Sequence, residues 1–115
     1  MNKRFDLPRL EREAEFLQAL AHPVRLQILD FLGEEEKCGC EIEPRIKLDQ
    51  STISRHLQIL KRAGVLLARK DGVRILYRVD DRRIMNLRRR VGELIAARAQ
   101  RDLASLGARR RGGVK

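Results

Sequence analysis

The reading of this chain turns on residues 49–79, DQSTISRHLQILKRAGVLLARKDGVRILYRV. Ile53, Leu57 and Leu60 recur at i, i+4 and i+7, one stripe of a helix turning once in about 3.6 residues. Asp49 or Ser51 can accept a backbone N–H at its start. Gly64, just past Ala63, suits the left-handed residue that closes a helix. The runs 65–68 (VLLA) and 73–77 (VRILY) then flank Lys70-Asp71-Gly72. Asp-Gly between apolar, β-favouring runs predicts a hairpin, whose type I′ turn needs positive φ twice.

The other face of the predicted helix carries Gln50, Ser51, Thr52, Ser54, Arg55 and Gln58. These short donors and acceptors with one arginine can reach base edges and phosphates in a major groove. Residues 50–78 hold seven basic side chains (Arg55, Lys61, Arg62, Arg69, Lys70, Arg74, Arg78) against Asp71 alone. The plainer reading of the same residues is a solvated basic face. Footprint, fold and charge taken together favour nucleic acid.

The rest of the chain supports a duplex as the partner. Its 115 residues suit one domain with a modest core, and the net charge is +10. Such a balance favours an anionic partner. The charge is polarised. Residues 11–43 hold nine acids against three bases, whereas 82–115 hold eleven bases against two acids. Aromatic residues are 3% and Trp is absent, which argues against single-strand binding by base stacking. No apolar run approaches the roughly 20 residues of a membrane span, and residues 1–10 lack the apolar region of a signal peptide. The expected location is the cytoplasm, where thiols stay reduced. Cys38 and Cys40 are accordingly expected as thiols.

Residues 1–7 read as a short arm, with Pro8 near the first turn of a helix striped by Leu10, Ala14, Leu17 and Leu20. A second helix, Pro23–Leu32, is apolar on most sides and should sit in the middle of the core. Residues 34–37 (EEEK) read as a solvated loop. A short third helix follows. Pro44 fits it if the helix begins at Cys40 or Glu41, which puts the cysteines at or just before its N-terminus. After the hairpin, Asp80 and Asp81 can cap a long last helix striped by Ile84, Leu87, Val91, Leu94 and Ile95. Its stripe, with Leu10 and Leu17 of the first helix, is expected to pair with a second subunit, the plainer reading being that it packs back on its own core. Residues 107–115 (GARRRGGVK) read as a basic disordered tail beyond a domain spanning 1–106.

Four helices, a β-hairpin and a fifth helix make a mainly α chain, a winged helix-turn-helix. The sequence resembles the ArsR/SmtB family of metal-sensing repressors. The resemblance lies in Leu20-Ala21-His22-Pro23-Val24-Arg25-Leu26-Gln27-Ile28-Leu29, in Cys38-Gly39-Cys40-Glu41-Ile42, in residues 51–60 (STISRHLQIL) with Ala63-Gly64-Val65-Leu66, and in the Asp71-Gly72 wing. It runs from about Phe16 to Ile95. It implies a homodimer that binds operator DNA when metal-free and releases it when metal binds, and no enzyme activity.

Two sulfurs at i and i+2 lie about 200° apart on a regular helix and could not share one ion there. An extended backbone around Gly39 would bring them together, and a helix N-terminus favours the thiolate that binds soft ions. Two small hydrophobes near the surface, or a redox dithiol, are the other readings of the pair. The resemblance adds that a C-x-C at this helix is where arsenic- and antimony-responding members bind. The third cysteine that many of them have three residues on is Glu43 here. As(III) or Sb(III) on Cys38 and Cys40 is the leading inducer. Cd(II), Pb(II) or Zn(II) with an added oxygen donor such as Glu43, and Cu(I) on two thiolates, are the alternatives. The arm, residues 1–10, has none of the cysteine that related cadmium and lead sensors use. Residues 80–100 have none of the histidine of the zinc and nickel sensors.

On this reading Gln50, Ser51, Thr52, Ser54 and Arg55 face the major groove. Arg62 on the same helix, and Arg69, Lys70 and Arg74 on the wing, face phosphates or the minor groove, and His56, set beside Arg55 among the DNA-facing residues, is expected as a hydrogen-bonding structural group or a phosphate contact. His22, before Pro23, is expected to cap or pack.

Overall fold

The computed structural model describes residues 6–112, with side chains through residue 108. The element order is α1 (Leu7–Leu20), α2 (Pro23–Leu32), β1 (Lys37–Cys38), α3 (Gly39–Ile46), α4 (Gln50–Arg62), β2 (Leu66–Asp71), β3 (Arg74–Val79) and α5 (Arg82–Gly112). The chain divides into two units, a body ending at Met85 and a second beginning at Asn86. No described helix is long and apolar enough to cross a membrane.

The body is built around α2. Ile28, Leu29 and Leu32 are buried there among Ala19 and Leu20 of α1, Ile42 of α3, and Ile53, Leu57 and Leu60 of α4. Val65, Leu66, Tyr77 and Ile84 close the cluster. Each helix enters on a side-chain or backbone cap. Asp6 caps α1, and His22 Nδ1 accepts the Val24 N–H at 3.0 Å to start α2. The Asp49 carboxylate accepts the Thr52 N–H at 2.7 Å and the Ser51 hydroxyl at 2.9 Å to start α4. Those bonds hold the Asp49 carboxyl below its ordinary range.

The sheet has three strands rather than the expected two. They run antiparallel in the order β1-β3-β2, with Lys37 opposite Tyr77 and Cys38 opposite Leu76. Lys37 thus leaves the loop it was assigned to. A two-residue strand has too few positions to show an alternating pattern in sequence. The hairpin turn also differs. Asp71 pairs with Arg74, so Gly72-Val73 is the loop. Only Gly72 has positive φ, +64°. That is the pattern of a type II′ turn, with glycine first, and not type I′. A β-branched residue strongly disfavours positive φ, so Val73 could not supply the second one.

Helix α3 begins one residue earlier than expected, at Gly39, and Pro44 lies inside it. Proline has no N–H to return to the Cys40 carbonyl, and the helix ends soon after, at Lys47 with φ +60°. The expected disordered tail is also corrected. α5 continues to Gly112, as helix-favouring Ala and Arg at 108–111 allow. Residues 113–115, and 1–5 of the expected arm, lie outside the described residues.

Candidate functional site

Helix α4 presents two faces. Ile53, His56, Leu57 and Leu60 are buried, and Gln50, Ser51, Ser54, Arg55, Gln58 and Arg62 are exposed. Thr52 is half-buried between them. The polar set expected to reach a duplex therefore shares one solvent-facing side. His56 does not belong to it. It is 8% exposed, and its Nδ1 lies 3.2 Å from an Arg25 guanidinium nitrogen. A guanidinium can only donate, so Nδ1 accepts and the ring proton sits on Nε2. The ring also packs against His22, centroids 4.5 Å apart. Burial, His22 and Arg25, in that order, push its pKa below the usual histidine value. His56 is removed from the DNA-facing residues because its place, three after Ile53, falls on the apolar stripe. Arg25 donates as well to the Ala19 carbonyl at 2.6 Å and the Gln18 carbonyl at 3.1 Å. One side chain thus ties α4 to the end of α1.

The wing places Arg69, Lys70 and Arg74 in solvent. Two of these cations already have acidic partners. Arg69 makes a two-pronged pair with Glu36 at 2.8 and 2.6 Å. Arg74 meets Asp71 at 2.9 Å. The Arg69 hydrogen bond holds the Glu36 carboxyl below its usual range. Glu36 stands 33 residues before Arg69, so no local signal in the sequence announces the pair.

Cys38 and Cys40 are joined as a disulfide, not free thiols as expected. The convergence comes from the backbone. Cys38 is extended (φ −67°, ψ 143°), forming the end of β1 and the cap of α3. Its Sγ accepts the Cys40 N–H at 3.1 Å, and its own N–H donates to Glu41 at 2.8 Å. Gly39 contributes space here, not an unusual φ. A Cβ at that position would stand 3.3 Å from the Tyr77 ring, closer than ordinary contact. Cys38 is 3% exposed, while Cys40 lies in solvent. Among the described residues no three His, Cys, Asp or Glu gather as a metal site.

A cleft of about 410 Å³ opens beside the sulfurs. Cys38, Cys40 and Glu43 line it on one side, Gln50 and Ser54 of α4 on another, and Arg74 and Tyr77 of the wing on a third. The sulfur pair and the exposed polar residues Gln50 and Ser54 of α4 thus share one concavity, an arrangement invisible in sequence because three elements build it.

The expected dimer stripe is mostly uncovered. Leu10, Leu17, Leu87, Val91 and Leu94 are exposed, the last at 70%, and Leu7, Ile95, Leu103 and Leu106 extend the set. Ile84 is the exception. It is 7% exposed and packs in the core of its own chain, so it leaves the stripe. The first turns of α5 follow β3 directly, and Ile84 seals the body before the rest of the helix begins.

Residues 22–66 match the family model described as "Bacterial regulatory protein, arsR family". Over 89 residues the chain is 40% identical to an uncharacterised HTH-type transcriptional regulator of Methanocaldococcus jannaschii, covering 76% of this chain and all of that one. It is 36% identical over 74 residues to a probable mercury resistance operon repressor of Streptomyces lividans, covering 64% and 59%. Among solved structures it resembles the homodimeric winged helix-turn-helix DNA-binding domain of a possible ArsR-family regulator of Mycobacterium bovis. The identity there is 30%, the coverage 84% of this chain and 89% of that one, and the TM-score 0.74.

Proposed function

We propose, from the premise that this chain belongs to the arsR family of bacterial regulatory proteins, that it is a transcriptional repressor that holds operator DNA as a homodimer and releases it when As(III) or Sb(III) binds Cys38 and Cys40. Relatives and fold alike are those of DNA-binding regulators and not of enzymes. The observation that carries the sensing reading is the meeting of both sulfurs at the start of α3, which leads through residues 47–49 into α4.

In the proposed complex Gln50, Ser51, Thr52, Ser54 and Arg55 of each protomer enter successive major grooves, about 34–36 Å apart. Arg62 reaches phosphate from the far end of α4, and Arg69, Lys70 and Arg74 reach the flanking backbone. The uncovered leucines of α1 and α5, with Val91, support pairing of two copies. Residues 1–106 act as the DNA-binding and dimerisation region, and the cytoplasm supplies the reducing setting. A trivalent metalloid would be held by the two thiolates of the reduced pair. Drawing both sulfurs onto it fixes the turn into α3, and α4 follows. The coupling, typically about 1–3 kcal/mol, acts equally in reverse, so DNA weakens effector binding by the same factor.

The test is a titration of promoter DNA with reduced protein and arsenite, antimonite, Cd(II), Pb(II), Zn(II) or Cu(I). Release by arsenite and antimonite, lost in Cys38→Ser and in Cys40→Ser with DNA binding intact, supports the reading. Undiminished release from the double variant eliminates the site. A second reading, a thiol-redox switch, is favoured by the disulfide itself. It predicts that oxidant alone changes DNA affinity, with loss of two hydrogens by mass spectrometry.

A further inference from the structure

The two sulfurs are unequal, and the cleft beside them reaches the DNA-facing side chains. Cys38 is buried, pairs with Leu76 of β3 and accepts the Cys40 N–H, whereas Cys40 is exposed and lines the cleft. Cys40 is the exposed member of the pair, so an incoming thiolate meets its sulfur first, and the sulfur it displaces departs beside the N–H groups at the start of α3. The cleft volume falls within the roughly 300–1,000 Å³ of small-molecule sites. Its polar lining pairs one carboxylate, Glu43, with one guanidinium, Arg74, whose exposed contact with Asp71 is readily exchanged. A lining with one charge of each sign fits a molecule carrying both an ammonium and a carboxylate.

We infer that Cys40 is a mixed-disulfide modification site for a small zwitterionic thiol of the amino-acid kind, whose adduct fills this cleft and blocks DNA directly. The inference rests on the reading of the sulfur pair as the effector switch. In the step, the thiolate RS⁻ attacks Cys40 Sγ, the RS–Sγ bond forms, and the bond to Cys38 breaks. Cys38 leaves as thiolate and takes a proton from solvent. The protein disulfide is the oxidant, so no other is needed. Return attack by Cys38 expels RS⁻. The attached group lies against Gln50 and Ser54, so release needs no movement of α4.

Cys38→Ser traps the adduct, because serine keeps an oxygen at the α3 cap and no resolving sulfur remains. Cystine then transfers one cysteinyl group to Cys40 and releases one cysteine. The expected result is a single cysteinyl adduct by intact mass, formed about tenfold faster than on Cys40→Ser, whose remaining thiol is buried. The adduct lowers affinity for promoter DNA by about tenfold or more, and dithiothreitol restores it, as expected for lost contacts at the reading helix. Adding Glu43→Gln reduces the preference for cystine over neutral hydroxyethyl disulfide, leaving DNA binding by the unmodified protein unchanged. Equal reactivity of the two thiols, or an adduct that binds DNA undiminished, overturns the inference. The wild-type chain separates the two ideas. If arsenite and oxidant both leave its DNA affinity unchanged while the trapped adduct blocks DNA, the switch reading fails and the modification site stands. If wild type responds and the trapped adduct binds DNA normally, the switch reading stands alone.

Discussion

His56 shows how a single residue is placed by its neighbours. Next to Arg55 in sequence it reads as either a hydrogen-bonding structural group or a phosphate contact. On α4 it falls with Ile53, Leu57 and Leu60, and the core takes it. A buried imidazole that accepts from Arg25 and faces His22 is held neutral. Its folded pKa lies below the unfolded value of about 6.5. The unfolded chain therefore binds the proton first as pH falls, and the native state loses stability from that pH downward. Urea midpoints should fall between pH 7.5 and 5, and His56→Gln, which keeps an acceptor for Arg25, should flatten part of that slope. An identical slope in the variant would remove His56 as its source. Glu36 acts on the wing in a similarly hidden way. It occupies Arg69 with two hydrogen bonds, so Glu36→Gln should raise DNA affinity by about two- to fivefold, the scale of an exposed ion pair. A filter-binding series over salt should show a slope steeper by up to about 0.9 if Arg69 then finds a phosphate; unchanged affinity and slope would mean the arginine never reaches DNA.

Helix α3 is short, carries an internal proline and has one fully buried side chain, Ile42. That anchor, with half-buried Ile46, seats α3 and the sulfur pair at its start on the core. Ile42→Ala should cost about 2–5 kcal/mol in urea unfolding, the range for emptying a packed aliphatic site, and loosen DNA release from effector binding. A cost near zero would mean that α3 is held by its caps alone. The wing depends on Gly72 in the same way. An alanine at φ +64° is strained, so Gly72→Ala should lower stability by about 1 kcal/mol and weaken DNA binding through the displaced Lys70 and Arg74. The turn residues announced a hairpin, but its type was settled by which residue could tolerate positive φ. Strand β1 left no trace in the sequence because two residues carry no period.

For the molecule as a whole, the uncovered apolar residues of α1 and α5 carry the dimer prediction. Leu87→Glu with Leu94→Glu should convert the protein to monomer in sedimentation velocity and abolish operator binding, because each half-site alone offers too few contacts. A folded double variant that still sediments as a dimer would place the interface elsewhere. A duplex-binding dimer touching roughly 6–10 phosphates should also lose affinity steeply with salt.

The sequence by itself determined which segments of the body become helices, where the hairpin lies, which face of α4 is polar and that two sulfurs stand at the start of α3. Those features are periodic or local, and a helix stripe, a cap or a turn is written within a dozen residues. Only the tertiary structure decided that Arg25 meets His56, that Ile84 serves its own core, that Glu36 holds Arg69, and that the sulfur pair and α4 border one cleft. Each of these is a meeting of residues far apart in the chain, and packing selects such meetings by shape and charge in three dimensions, where sequence spacing has no say.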